Sequence, residues 1–525
     1  MEPSCVQHNL IPGTSRLFCD YLYRFDRVEK FYPAHFTQWE ALLAGIQGLN
    51  YPESRRKRMA EALGRQNADP PALAQFAEPE TVAVVTGQQV GLFSGPAYTI
   101  FKALTAVKLA EQLKEKGVRA VPIFWLASED HDLAEVDHAW VFDQDANPTK
   151  LSVTNAVTNG GPVGDVELSE VPLNELASAL GELPFRADVL KKVAATYRPG
   201  ATLGKAFRDF LADILGDFGL LYLDPLAPEV RENAVDFIKD TIDRVPELIS
   251  ALRERSKELV DSGYHAQVLV EQETSLLFLL SQGKRIPIRW KEGRFVAKDR
   301  SYSAVELKSM ADHISPNALL RPVLQDYLLP TVSYVGGPAE IAYLAQSRVL
   351  YDRLLGRMPV IFPRNSFTLL DARAMKLFDG YGLHVSDMLD HQEKVKSRMA
   401  AKLVPAGLTQ EFESLRSGVS SAFTKLRSNL MHFDPSLGAA AGKSEAKIRY
   451  QIEKLGRKTA REAMQRDERA ARDASYLTNL VYPHRRLQER FYSIVPFLAK
   501  HGLDLPQRIL VESQLACPDH MIRTF

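Results

Sequence analysis

Three short segments concentrate the side chains that could do chemistry. In "TGQQVGLFSGPAYTIFK", Gly87, Gly91 and Gly95 alternate with Gln88, Gln89 and Ser94, and Tyr98, Thr99 and Lys102 follow within two turns. Glycines let backbone amides approach an anion, and a helix start adds unpaired N–H groups and partial positive charge, so this stretch suits a phosphate or carboxylate. Its spacing matches neither GxGxxG nor GxxxxGK(S/T). The plain alternative is a strand-to-helix turn that needs glycine for its backbone angles, with Tyr98 and Lys102 a surface pair at i,i+4.

The second segment, "SEDHD", sets Glu129, Asp130, His131 and Asp132 side by side after an apolar run. Four such groups could orient an amine, bind Mg²⁺, or act as acid and base. His131, Glu135 and His138 would share one face of a helix, a spacing that could ligate a metal. The alternative is a helix capped by Ser128 with acids in its first turn. The third segment, "YVGGPAEIAYLAQ", places Tyr334, Gly336 and Gly337 before Pro338, with Glu340, Tyr343 and Gln346 following on a helix. It is either a second wall of the same crevice or an unrelated tight turn. Arg364 and Asn365 in "FPRNS" could hold a carboxylate or phosphate, or cap a neighbouring helix. "GAAAGKS" (438–444) is one residue short of a phosphate loop and follows a helix, so it reads as the turn of a helical hairpin.

All three segments need strand ends to position them. "TVAVVTG", the helix "AYTIFKALTAVKLAEQLKEK" stopped by Gly117, and "VRAVPIFWLAS" form a βαβ unit, and near-continuous apolar strands imply a parallel sheet covered on both faces. In such sheets ligands bind outside the carboxyl ends of strands, which is where each segment falls. We therefore expect a helical lead-in over 1–80 and an α/β core over 81–385. The core carries β-hairpin insertions at about 148–170 and 263–300, the latter from the turn signals "SQGKR" and "KEGR". Beyond 386 strands vanish. Phe412, Leu415, Val419, Ala422, Leu426 and Leu430, then Ile448, Ile452 and Leu455, keep a 3-4 spacing that predicts a helical hairpin or coiled coil followed by returning helices to 525.

Composition narrows the class. The chain has 525 residues, enough for several structural units, and 65 basic against 65 acidic side chains, which gives no global pull toward nucleic acid or an anionic membrane. Between Lys443 and Arg472 ten basic and five acidic residues form a solvated helical face or a surface for an anionic partner. Cys5, Cys19 and Cys517 include no CxxC pair, and no run of 18 apolar residues or secretory pattern occurs, so a soluble cytoplasmic protein is expected.

Taken together and in order, "TGQQVGLFSGPAYTIFKA", "PIFWLASEDHDLAEVDH", "YVGGPAEIAYLAQ" and "PRNS", followed by a helical arm, resemble the BshC family of bacillithiol biosynthesis over essentially the whole chain. The resemblance implies a Rossmann-like core of the HUP, class I synthetase-like kind with connecting-peptide insertions, and a C-terminal α-helical coiled coil used for homodimerisation. It implies a ligase that adds L-cysteine to the amine of glucosaminyl malate, with ATP as the natural partner; the "SEDHD" acids could take its Mg²⁺, no protein-held metal is assigned, and the charge balance and hydropathy point to neither nucleic acid nor membrane. On that basis Gly87, Gln88, Gln89, Gly91, Ser94, Gly95, Tyr98, Thr99 and Lys102 would bind a phosphate or substrate anion. Glu129, Asp130, His131 and Asp132 would orient the amine or accept its proton. Tyr334, Gly336, Gly337, Glu340, Gln346, Arg364 and Asn365 would bind substrate or nucleotide, with the Gly336 to Glu340 turn closing the crevice. Two other classes compete: a non-catalytic nucleotide-binding scaffold, and a metal-dependent hydrolase built on His131, Glu135 and His138.

Overall fold

The computed structural model describes residues 4–153, 160–389 and 392–525. At its centre lie five strands, β1 (Val82–Gln89), β2 (Ala120–Ala127), β3 (Leu221–Leu223), β4 (Thr331–Gly336) and β5 (Val360–Pro363), in the order β5-β4-β1-β2-β3. Every neighbouring pair is parallel. Val82 to Val85 and Val121 to Leu126 are almost wholly buried because helices cover both faces, which is why these strands read as continuous apolar runs. The expected Rossmann-like α/β core is present.

Helix α1 (Tyr98–Glu115) joins β1 to β2 and stops at Gly117, whose φ of 80° is the left-handed geometry of a helix C-terminus. Helices α2 (Pro228–Asp261) and α3 (Pro338–Leu354) both begin with proline, where its missing N–H costs nothing, and they pack together. Before the sheet, the helices Arg16–Tyr23, Trp39–Gln47, Glu53–Gln66 and Pro70–Ala77 add apolar residues to the same core.

Two antiparallel pieces interrupt the alternation. The first hairpin pairs His138–Phe142 with Pro148–Ser152, so it begins ahead of the expected 148–170 insertion; residues 154–159 lie outside the described residues. The second is a meander, Thr274–Ser281, Lys284–Lys291, Arg294–Ala297 and Arg300–Tyr302, with Ile314–Pro316 on its other edge. Gln282-Gly283 and Glu292-Gly293 turn with positive φ at both positions, the twist that two-residue hairpins need.

The segment after β2 is not an α-helix; it holds only the 3-10 turn Leu133–Glu135. The carbonyls of Ser128 and Asp130 accept from the amides of Gly164 and Val163 (2.9 and 2.6 Å) instead of from amides four residues on, and His138 opens a strand. His131, Glu135 and His138 therefore do not share a helical face, and no cluster of three metal-ligating side chains occurs among the described residues.

The chain divides into two compact units. Among the described residues, one comprises 4–368 with 488–523 and the other 369–487 with 524–525. The second unit is helical. Its α4 (Ala406–Phe433) and α5 (Pro435–Arg466) form the expected antiparallel hairpin. The reversal is tighter than expected: it is made at Asp434, whose side chain caps α5 by accepting from Ser436 N (2.7 Å), and "GAAAGKS" lies within α5. At Gly438 a Cβ would come within 2.3 Å of the half-exposed Met431 side chain on α4, which would have to move aside. Among the described residues no helix is long and apolar enough to cross a membrane.

Candidate functional site

The strand order reverses between β1 and β4, so a crevice opens at their carboxyl ends, where doubly wound sheets take ligands. A cleft of about 600 Å³ lies there, wholly within the α/β unit. Its walls fall into four groups of residues.

The first wall is the end of β1 and the start of α1. Strand pairing continues to Gln89, so Gly87, Gln88 and Gln89 are strand residues. Gly87 is required by packing, since a Cβ would stand 2.7 Å from the Trp125 carbonyl oxygen on β2. Lys102 reaches back under this strand end. Its Nζ donates to Gly87 O (2.7 Å) and Gln88 Oε1 (3.0 Å) and pairs with Glu340 Oε2, which occupies all three of its hydrogens. Gln88 Nε2 donates to the Tyr98 hydroxyl (3.1 Å). The remaining members of the glycine-rich stretch face away from the cleft. Phe93, Ser94 and Gly95 all have positive φ, and the buried Tyr197 hydroxyl braces the turn by donating to Gly91 O (2.8 Å) and accepting from Ser94 N (3.0 Å). Thr99 is buried beneath Gly95, outside the cleft.

The acidic segment after β2 supplies the second wall. Ser128 is buried and donates to Asp224 (2.5 Å). Glu129 is also buried, with Arg231 Nη1 at 3.3 Å; burial raises its pKa above the usual carboxylate value, against the pull of Arg231 and Arg285. Asp130 behaves oppositely. Burial works against its charge, but Gln89 Nε2 (2.5 Å), the His131 amide (2.7 Å) and Arg285 outweigh it and hold the carboxyl below its ordinary range. His131 and Asp132 are exposed at the rim, with His131 Nδ1 3.4 Å from Arg285 Nη1.

The β4-to-α3 turn forms the third wall. Glu340 accepts from Gly337 N (2.8 Å), Tyr334 Oη (2.6 Å) and Lys102, and the lysine keeps it ionised despite burial. Gly336 packs against the Glu340 and Tyr334 side chains behind the lining. Gln346 is buried further along α3, holding Val268 by both its backbone groups (2.9 Å each), outside the cleft. Arg364 lines the cleft, whereas Asn365 turns inward to Gln514 O (2.9 Å).

The fourth wall was not anticipated from sequence. Phe278 and Arg285 come from the antiparallel meander, with the guanidinium carbon 3.9 Å above the ring. Arg321 opens the helix Arg321–Leu328 and donates to Tyr343 Oη and Gln325 Oε1 (both 3.1 Å). Burial works against its charge, but Tyr343, Tyr334 and Glu340 outweigh it and raise its pKa. Arg490 arrives from the C-terminal return. An arginine before a helix-starting proline, as in "LRPVLQ", was the one local signal for Arg321; nothing local marks Arg490.

A family model described as "Bacillithiol biosynthesis BshC, N-terminal Rossmann-like domain" matches residues 1–365, and one described as "Bacillithiol biosynthesis BshC, C-terminal coiled-coil domain" matches residues 367–525. The chain belongs to the BshC family. A relative from Solibacter usitatus is 50% identical over 522 residues, covering 99% of each chain. One from Koribacter versatilis is 36% identical over 532 residues, again covering 99% of each. A third, from Bacillus cereus (strain B4264), is 28% identical over 450 residues and covers 82% of each. All three carry the name "Putative cysteine ligase BshC".

In this BshC-family chain the cleft brings together Glu129 and Asp130, the less acidic beside the more acidic, and Arg321, which has no carboxylate within ion-pair distance among the described residues, so its charge is available to a bound anion.

Proposed function

We propose that this chain is an ATP-dependent ligase that joins the carboxyl group of L-cysteine to the amine of glucosaminyl malate, completing bacillithiol in the cytoplasm. The observation that carries this reading is the meeting in one cleft of two carboxylates of different basicity with a guanidinium, Arg321, that has no carboxylate at ion-pair distance among the described residues. The family match and the relatives' name support it.

The chemistry asks for that set. The substrate amine arrives as an ammonium, and Asp130, held ionised, is the better anchor for it. It must lose a proton before attack, and Glu129, with its raised pKa, is the better acceptor. The new bond joins the amine nitrogen to the cysteine carboxyl carbon, one C–O bond breaks, and the nitrogen's second proton leaves through Glu129 or water. ATP, as co-substrate with Mg²⁺, supplies the group that makes the carboxyl oxygen a leaving group. Arg321 and the positive end of α3 would hold an anion facing the acidic wall. Lys102 does not touch substrate in this reading; it locks the β1 end to α3 through Gly87, Gln88 and Glu340.

Along the hairpin of α4 and α5, Leu415, Leu426, Ile448 and Leu455 are 40–55% exposed in the single chain, and a second copy packed along this stripe would cover them. The protein would then act as a homodimer.

The deciding experiment is reconstitution of the full chain with L-cysteine, glucosaminyl malate and Mg-ATP, following amide by mass spectrometry and AMP or ADP in parallel. Amide formed in step with nucleotide cleavage is expected. ATP binding without amide would replace this reading with a non-catalytic nucleotide-binding scaffold.

A further inference from the structure

The cations around the cleft are unevenly matched. Lys102 pairs with Glu340, Arg364 with Glu489, Arg231 with Glu129, and Arg285 lies 3.8 Å from Asp130. Arg321 and Arg490 alone among the cleft's cations lack a carboxylate at ion-pair distance among the described residues. Arg490 is the unexpected one. It lies on the four-residue helix Gln488–Phe491, after the coiled-coil hairpin and outside the matched Rossmann-like region, yet within the α/β unit.

Its neighbour explains how it is held. The Glu489 side chain is wholly buried and accepts four hydrogen bonds: Arg364 Nη1 and Nη2 (2.9 and 2.6 Å), Ser366 Oγ (2.8 Å) and Phe367 N (3.0 Å). Burial opposes this charge, but the fork of Arg364 pulls the carboxyl down to about 2. Just beyond, Tyr492 O accepts from Ala97 N (2.7 Å) and Ser493 bridges to Pro96, which fastens the segment at the start of α1. Consecutive residues on a short helix point about 100° apart. With Glu489 fixed inward, Arg490 is set over the Tyr98 ring (5.7 Å) and exposed to the cleft.

We infer that Arg490 is a substrate-binding residue for an anionic group in this cleft, and that Glu489 is the positioning residue that sets it. An exposed guanidinium fork with no carboxylate at ion-pair distance among the described residues suits a bound carboxylate or phosphate. The segment after the coiled coil is then part of the binding site. This inference rests on the ligase reading for the identity of the anion only.

The test uses the full chain and two probes, malate and inorganic phosphate, titrated calorimetrically into wild type, R490A, R490K and E489Q, with steady-state kinetics alongside. Arg490 is exposed, so R490A should fold as wild type does. It should weaken one probe about 10- to 100-fold and raise KM for the matching substrate by that factor, with kcat little changed. R490K should recover part of the loss. Selective loss of malate identifies the amine substrate's carboxylates, and selective loss of phosphate identifies the nucleotide. E489Q should shift the same KM in the same direction and also lower the melting temperature, because it leaves buried Arg364 without its counter-charge; wild-type binding by folded E489Q would remove its positioning role. Unchanged affinity of R490A for both probes would overturn the assignment even if the wild type makes amide. A wild type that binds a probe through Arg490 but makes no amide would sink the ligase reading alone.

Discussion

Glu129 and Asp130 are adjacent in sequence, yet one has its pKa raised and the other lowered, because burial dominates at Glu129 whereas Gln89, the His131 amide and Arg285 dominate at Asp130. The sequence marked both as titratable but could not rank them. If Glu129 is the proton acceptor, activity requires its ionised form. The rate should then fall as pH drops through its raised pKa and level off at higher pH. E129Q should lower kcat by about 10²- to 10⁴-fold and abolish that acid limb. A pH profile of kcat for wild type and E129Q checks this; an unchanged limb in the variant would assign the proton to another group. Lys102 teaches a related lesson. Its position predicted a ligand contact, but its three hydrogens are taken by Gly87, Gln88 and Glu340.

At the scale of elements, the glycine-rich stretch proves to have two parts. Gly87 to Gln89 end a strand and face the cleft, while Gly91 to Gly95 make a strained turn held from behind by Tyr197. Tyr197 lies more than a hundred residues away, so no local pattern could connect it to the turn. Y197F would leave Gly91 O and Ser94 N unpaired in the interior and should destabilise the α/β unit by about 1–3 kcal/mol. Denaturant unfolding measures it, and a loss below about 0.5 kcal/mol would mean that the turn holds itself. The strands and α1 were legible because a buried parallel sheet demands unbroken apolar runs, and the meander because "QG" and "EG" turns carry their own chemistry. The helix expected after "SEDHD" was not formed because Gly164 and Val163, from the next segment, take the carbonyls it would have used.

For the molecule as a whole, the hairpin and the cleft occupy different compact units, and this separates two questions that truncation at 386 would confuse. Removing everything after 386 would also remove Glu489 and Arg490. Deleting only 406–466 keeps them. Pro405 and Asp467, at the hairpin's two ends, line one hollow, so a short Gly/Ser linker can join the flanks. The deletion should yield a monomer by sedimentation if the exposed leucine and isoleucine stripe makes the dimer; a chain that remains dimeric rejects that interface.

By itself the sequence determined the α/β class, the parallel sheet, the helical hairpin and the three strand-end segments, since each follows from periodicity, turn residues or side-chain type within a short window. Only the tertiary structure decided which members of those segments share a cleft. It turned Ser94, Thr99, Gln346 and Asn365 into buried supports, and it brought in Arg285, Arg321 and Arg490. The physical reason is that a binding site is closed by whichever chain segment packs against the strand ends. That packing is set by burial over hundreds of residues, and no local spacing encodes it.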